Sequence, residues 1–147
     1  MGEARQHGFS LVELLVVTSL LVILLGLMLP AYQRQLIDTR RTLGGAALLE
    51  AMMRQEQYFL DHRRYAEVLT ELDYPSHPYA IDGQGTVLHG HDKNRVYLIN
   101  LATRATAYTL SATPQFAQAA DGDCGVLSLD SSGVKRSSGE GRGRPCW

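Results

Sequence analysis

The chain has 147 residues, with 14 Lys and Arg against 15 Asp and Glu, a formal net charge of −1 and a pI near 6.5. That balance removes any general electrostatic case for nucleic acid or anionic lipid as partner, so such binding needs a local patch. The length fits one domain, and about 115 residues remain to form a core once the apolar N-terminus is set aside.

The first eight residues, MGEARQHG, are a short polar leader ending in glycine. From Phe9 to Leu29 the run FSLVELLVVTSLLVILLGLML spans about 21 residues, or roughly 31 Å as a helix, which matches one bilayer crossing. It exceeds the apolar region of a cleaved secretory signal, and Leu29-Pro30-Ala31 is a poor substitute for an Ala-x-Ala cleavage site. An ordinary anchor explains the length but not Glu13. A carboxylate at the centre of a bilayer costs roughly 2.5–3.5 kcal/mol, less near the interface, and asks for a partner. Ser10, Thr18 and Ser19 are expected to bond helix backbone or a neighbouring helix.

The order Gly8, Phe9, Ser10, Leu11, Val12, Glu13, read GFSLVE, resembles the class III leader of type IV pilins and of type II secretion pseudopilins. The resemblance implies that a membrane peptidase cuts between Gly8 and Phe9 on the cytoplasmic side and methylates the new amine. It also implies a role for Glu13, which would meet the Phe9 ammonium of a neighbouring subunit as the helices bundle into a fibre. Pairing offsets much of the cost that each charge carries alone in hydrocarbon. Val22 stands where many pilins have a glycine, and Gly26 and Pro30 become the expected points of helix flexibility.

Residues 30–61 keep helical character. Leu43, Ala46, Leu49, Met53 and Leu60 fall within about 120° on a 3.6-residue wheel and predict a face packed on a sheet, with Arg41, Arg54 and Asp61 pointing elsewhere. Met52 and Met53 read as core, and Gly44-Gly45 as a flex point or a close packing site.

From residue 62 onward the composition is that of a β-rich head. An irregular stretch with Pro75 and Pro78 precedes predicted strands at Tyr79 to Ile81, Arg95 to Leu101, Thr106 to Thr113, Gly125 to Asp130 and Val134 to Arg136. TAYTLSAT places Tyr108, Leu110 and Ala112 on one face. Asp130-Ser131-Ser132-Gly133 reads as a hairpin connection. The reading is α+β: a pilin fold with a long N-terminal helix, membrane half plus amphipathic half, packed on an antiparallel sheet head. The boundaries are 1–8 leader, 9–29 transmembrane and assembly helix, 30–61 amphipathic helix and 62–147 head.

Cys124 and Cys146, an even count in a chain with an export-like N-terminus, favour one disulfide over a thiol catalyst. The bridge would close a loop of about 20 residues and stabilise the head by roughly 3 kcal/mol. It corresponds in place to the disulfide-bounded C-terminal region of many type IV pilins. RQEQYFLDHRRYAEVLTELDYP, AYTLSATP and CGVLSLDSSGVKR with the terminal CW further resemble a minor pilin of twitching-type pili.

Chemistry-bearing motifs are sparse. His89-Gly90-His91-Asp92 reads as a solvated loop rather than a zinc site, and Asp121-Gly122-Asp123 lacks the further ligands calcium needs. No phosphate loop, nucleophile elbow or catalytic cysteine context is present in the sequence, so neither an enzyme nor a cofactor or metal is expected. Arg63-Arg64, Lys135-Arg136, Arg142 and Arg144 would make a DNA-binding strip only if the fold gathers them, and solvated arginines are the simpler reading. The resemblance therefore implies a minor pilin acting in pilus assembly or priming and supporting twitching and adhesion. Its partners would be other pilins, the prepilin peptidase and the inner-membrane assembly platform. Its head would be periplasmic before assembly and extracellular in the fibre. A type II secretion pseudopilin and a fibre-displayed DNA- or surface-binding pilin are the alternatives.

Overall fold

A computed structural model of the chain describes residues 10–104, 106–141 and 145–147. Its first element is one helix, α1 (Leu11–His62), and the chain divides into two compact units at Leu36 and Ile37.

In the first unit, every described side chain from Ser10 to Gln35 is exposed. Apolar residues from Leu11 to Leu29 therefore cover a helix surface with nothing packed on it, and this stretch is long and apolar enough to cross a membrane. Thr18 and Ser19 fold their hydroxyls back, donating to the carbonyls of Leu14 at 2.9 Å and Val16 at 2.8 Å. That pairing lets polar side chains sit in an apolar run with their donors satisfied. The helix continues unbroken through Gly26 and Pro30. Proline has no N–H, so the Gly26 carbonyl four residues earlier lacks its usual helical donor.

The second unit combines the rest of α1 with a six-stranded antiparallel sheet. Its strands are β1 (Tyr79–Ile81), β2 (Val87–His89), β3 (Tyr97–Arg104), β4 (Ala107–Pro114), β5 (Leu127–Asp130) and β6 (Lys135–Ser137), in the order β2-β1-β3-β4-β5-β6. Strand alternation sets the core face: Tyr97, Ile99 and Leu101 of β3, Tyr108, Leu110 and Ala112 of β4, and Leu127 and Leu129 of β5 are all buried. Asp130 builds the β5–β6 turn, its Oδ1 accepting from the amides of Ser132 and Val134 at 3.0 Å, with Gly133 left-handed at φ +80°. Strand β2 is not among the strands read from sequence, where only its last residue, His89, fell in an expected loop; its pattern is exposed, half-buried, exposed, so it carries little apolar signal.

The helix packs on the sheet with a different face from the one its large apolar residues predict. Gly44, Ala47, Leu48, Ala51 and Gln55 are buried, whereas Leu49, Met53 and Leu60 are 40%, 65% and 69% exposed and Ala46 also faces out. The buried face lies about half a turn round from the expected stripe, although Leu43 still packs partly on the core. Small residues decide this. The Tyr97 ring lies 3.1 Å from where a Cβ on Gly44 would stand, so helix and sheet approach closely only on that side. Met53 is thus surface rather than core, while Met52 is half-buried against the cluster. Gln55 takes an interior place because its amide pairs with both backbone groups of Ala66, donating at 3.1 Å and accepting at 2.9 Å.

Candidate functional site

Two regions carry the chemistry. In the first unit Glu13 lies exposed in the first turn of α1, where the helix dipole favours a carboxylate. Gly8 and Phe9 lie outside the described residues.

The other region is the corner closed by the disulfide between Cys124 and Cys146. The chain turns at Gly125, left-handed at φ +60°, and Gly139 passes so near the Asp123 carbonyl that a Cβ there would collide with it. The bridge brings the terminal Trp147 onto the helix, its ring 3.6 Å from where a Gly45 Cβ would stand. The indole Nε1 donates to the Arg136 carbonyl at 3.0 Å, and the Lys135 ammonium sits 5.2 Å from the ring centroid. A groove of about 500 Å³ runs between α1 and this tail, with Ala46, Leu49 and Trp147 as apolar lining and Asp38 and Lys135 among its charged residues.

Arg41 borders the same groove and is buried, not directed away from the core as helical spacing suggests. Its partner is Asp121, also buried, which in turn accepts from the Cys124 amide at 3.3 Å. Asp121 is thereby committed to an internal pair and not to a cation site. Among the described residues no group of three His, Cys, Asp or Glu side chains is placed to hold a metal ion.

The candidate basic residues are divided between separate tasks. Arg64 donates to Glu71 at 2.7 Å and lies over the Tyr58 ring, and Arg136 donates to Asp130 at 2.8 Å. Lys135 and Trp147 are brought together, while Arg142 and Arg144 lie outside the described residues. Arg95 was missed at the level of sequence: its guanidinium sits 4.8 Å from the centroid of the exposed Phe116 ring, a contact across two loops that no local pattern signals.

Comparison with known proteins adds what this geometry leaves open. Residues 30–128 match the family described as "Type IV minor pilin ComP, DNA uptake sequence receptor". The chain belongs to that family. Residues 4–29 match the prokaryotic N-terminal methylation motif, which covers the GFSLVE stretch. No curated protein matches the chain. Membership makes the protein a minor pilin, and it implies association with other pilins and processing by the prepilin peptidase. A prepilin motif leading into an exposed apolar helix fits anchoring in the inner membrane before assembly into the extracellular pilus.

Proposed function

We propose that this minor pilin is cut after Gly8, joins a type IV pilus through pairing of Glu13 with the Phe9 ammonium of a neighbour, and presents a head that binds DNA at the Lys135–Trp147 corner. The observation that carries the DNA reading is the match of residues 30–128 to pilins described as DNA uptake sequence receptors. Lys135 and Trp147 supply the needed chemistry locally, a cation for phosphate and an aromatic face for a base, despite the net charge of −1. The exposed Leu49, Met53 and Leu60 side of α1 supports contact with neighbouring pilins. Gly26 and Pro30 remain the proposed flex points of the assembly helix.

A mobility-shift titration of the full-length processed protein in detergent tests the DNA reading. Salt-sensitive binding is expected, and Lys135→Ala should weaken it and lower the salt slope by about 1. Binding that is absent, or insensitive to salt, would overturn it. The second reading is a minor pilin with a purely structural part in assembly, favoured by the pairing of Arg64 and Arg136 with carboxylates. Gene loss separates pilus from secretion machine: lost twitching supports the pilus, lost exoprotein export a type II pseudopilin.

A further inference from the structure

Arg95 is held with unusual economy for a surface arginine. Its Nη1 donates to the Asp92 carbonyl at 2.8 Å, its Nε to Gln115 Oε1 at 3.2 Å, and its plane rests on Phe116. Gln115 is itself fixed, its amide N–H donating to the Val96 carbonyl at 2.9 Å and its side chain to the Pro114 carbonyl at 3.2 Å. Among the described residues Nη2 has no acceptor, so the guanidinium is oriented by three contacts and keeps open donors.

Phe116 sharpens the question. It adopts a left-handed φ of +48°, uncommon for a bulky residue, and its side chain remains 60% exposed. The strain secures little burial. What the ring does is support Arg95.

Arg95 borders an open cleft of about 540 Å³ with Ser76, His77, Pro78, Gly90 and His91. The cleft is built, not a gap between loose loops. Gly90 passes so close to the Pro78 carbonyl that a Cβ would collide with it, its amide donates to Ser76 Oγ at 3.0 Å, and that hydroxyl donates to the Pro78 carbonyl at 2.7 Å. The Leu69 amide donates to His77 Nδ1 at 3.3 Å, which leaves Nε2 as the N–H donor of that ring. Asp92, the acid beside the cleft in sequence, has its Oδ1 engaged by the Asn94 amide at 2.8 Å.

We infer that the cleft between residues 76–78 and 90–95 binds a phosphate oxyanion, with Arg95 as its fork and His77 and His91 as flanking donors. A preoriented guanidinium matches the spacing of phosphate oxygens, and the rigid walls lower the entropy lost on binding. The phosphate comes either as the free ion or as a phosphodiester of a nucleic-acid strand. The inference does not rest on the Lys135–Trp147 reading.

The test is inorganic phosphate titrated into the full-length protein in detergent micelles, followed by backbone amide NMR. Saturable movement of the Gly90, His91 and Arg95 signals is expected, with affinity at least about tenfold weaker in Arg95→Gln. Arg95→Lys should fall between the two, because an ammonium keeps the charge and loses the fork. His91→Gln, an exposed change, should weaken binding with the fold intact. Non-saturating shifts, movement at other residues only, or undiminished affinity in both Arg95→Gln and His91→Gln would overturn the inference. Displacement of the bound ion by a short DNA duplex assigns the source as a phosphodiester, and retention assigns it as free phosphate. Loss of DNA binding in Lys135→Ala with phosphate binding kept would separate the two sites.

Discussion

Arg41 and Asp121, eighty residues apart, form a two-pronged pair inside the head, Nε to Oδ2 at 2.8 Å and Nη2 to Oδ1 at 2.7 Å. The pair ties the helix to the segment that leads into Cys124, and Asp38 adds a third contact to Arg41 at 3.2 Å. Removing Arg41 leaves Asp121 buried without its counter-ion, and removing Asp121 leaves Arg41 with only the longer contact to the partly exposed Asp38. Arg41→Met or Asp121→Leu alone should therefore cost about 3–5 kcal/mol, and the double variant clearly less than the sum. Denaturant unfolding of the full-length protein checks this; single losses below about 1 kcal/mol would mean that the pair is not buried as described.

Gly44 and Gly45 are adjacent, yet alanine should act oppositely at the two. A Cβ on Gly45 meets Trp147 at 3.6 Å, ordinary contact, so Gly45→Ala should stabilise by up to about 1 kcal/mol through helix propensity. A Cβ on Gly44 meets three atoms of the Tyr97 ring between 3.1 and 3.2 Å. That ring cannot slide freely, because Gln118 Nε2 donates to its hydroxyl at 3.1 Å. Gly44→Ala should thus lose about 1–3 kcal/mol to overpacking, more than it gains. Thermal unfolding of the two variants side by side reads the sign directly.

Acid should weaken the head over a defined window. The hydrogen bond from Arg64, with the Glu67 amide and Tyr58 hydroxyl, holds the Glu71 carboxyl at about 2 against the opposing effect of burial. The Ser132 hydroxyl, Val134 amide and Arg136 hold Asp130 likewise at about 2. Both values lie below the ordinary carboxylate range near 4, so their stabilisation is complete above that range and is lost as pH falls toward about 2. The denaturation midpoint should be flat from neutral pH to about 5 and then decline. Glu71→Gln should make that decline shallower; an unchanged slope would remove Glu71 from the account.

Glu13→Ala should leave processing intact and impair assembly. Intact mass of membrane-recovered protein is expected to begin at Phe9 with one added methyl group. The variant should be depleted from sheared fibres about tenfold for each 1.4 kcal/mol of lost pairing. Normal incorporation would take the assembly role away from Glu13.

Local chemistry made the long apolar span, the leader motif and the β-rich head legible from sequence alone. Each is written within a few neighbouring residues: GFSLVE, which lies in the matched N-terminal methylation motif, and the alternation of Tyr108, Leu110 and Ala112 and the Asp130–Gly133 turn, both of which the structure carries. The helix face was not legible, because periodicity weighs large apolar side chains, while the real interface depends on how closely Gly44 and Ala51 let the sheet approach. Burial of Arg41 was equally hidden, since its sense lies in Asp121, which only the folded chain brings near. The Arg95–Phe116 stack follows the same logic, being held by partners in different segments, whereas strand β2 pairs with nearby β1 and was hidden because its residues are mostly exposed and carry little apolar pattern. Sequence determined the long helix, five of the six described strands and an N-terminal span apolar enough to cross a membrane. Tertiary structure alone decided which side of the helix meets the sheet and which charges face inward, because both depend on shape and partners across the chain.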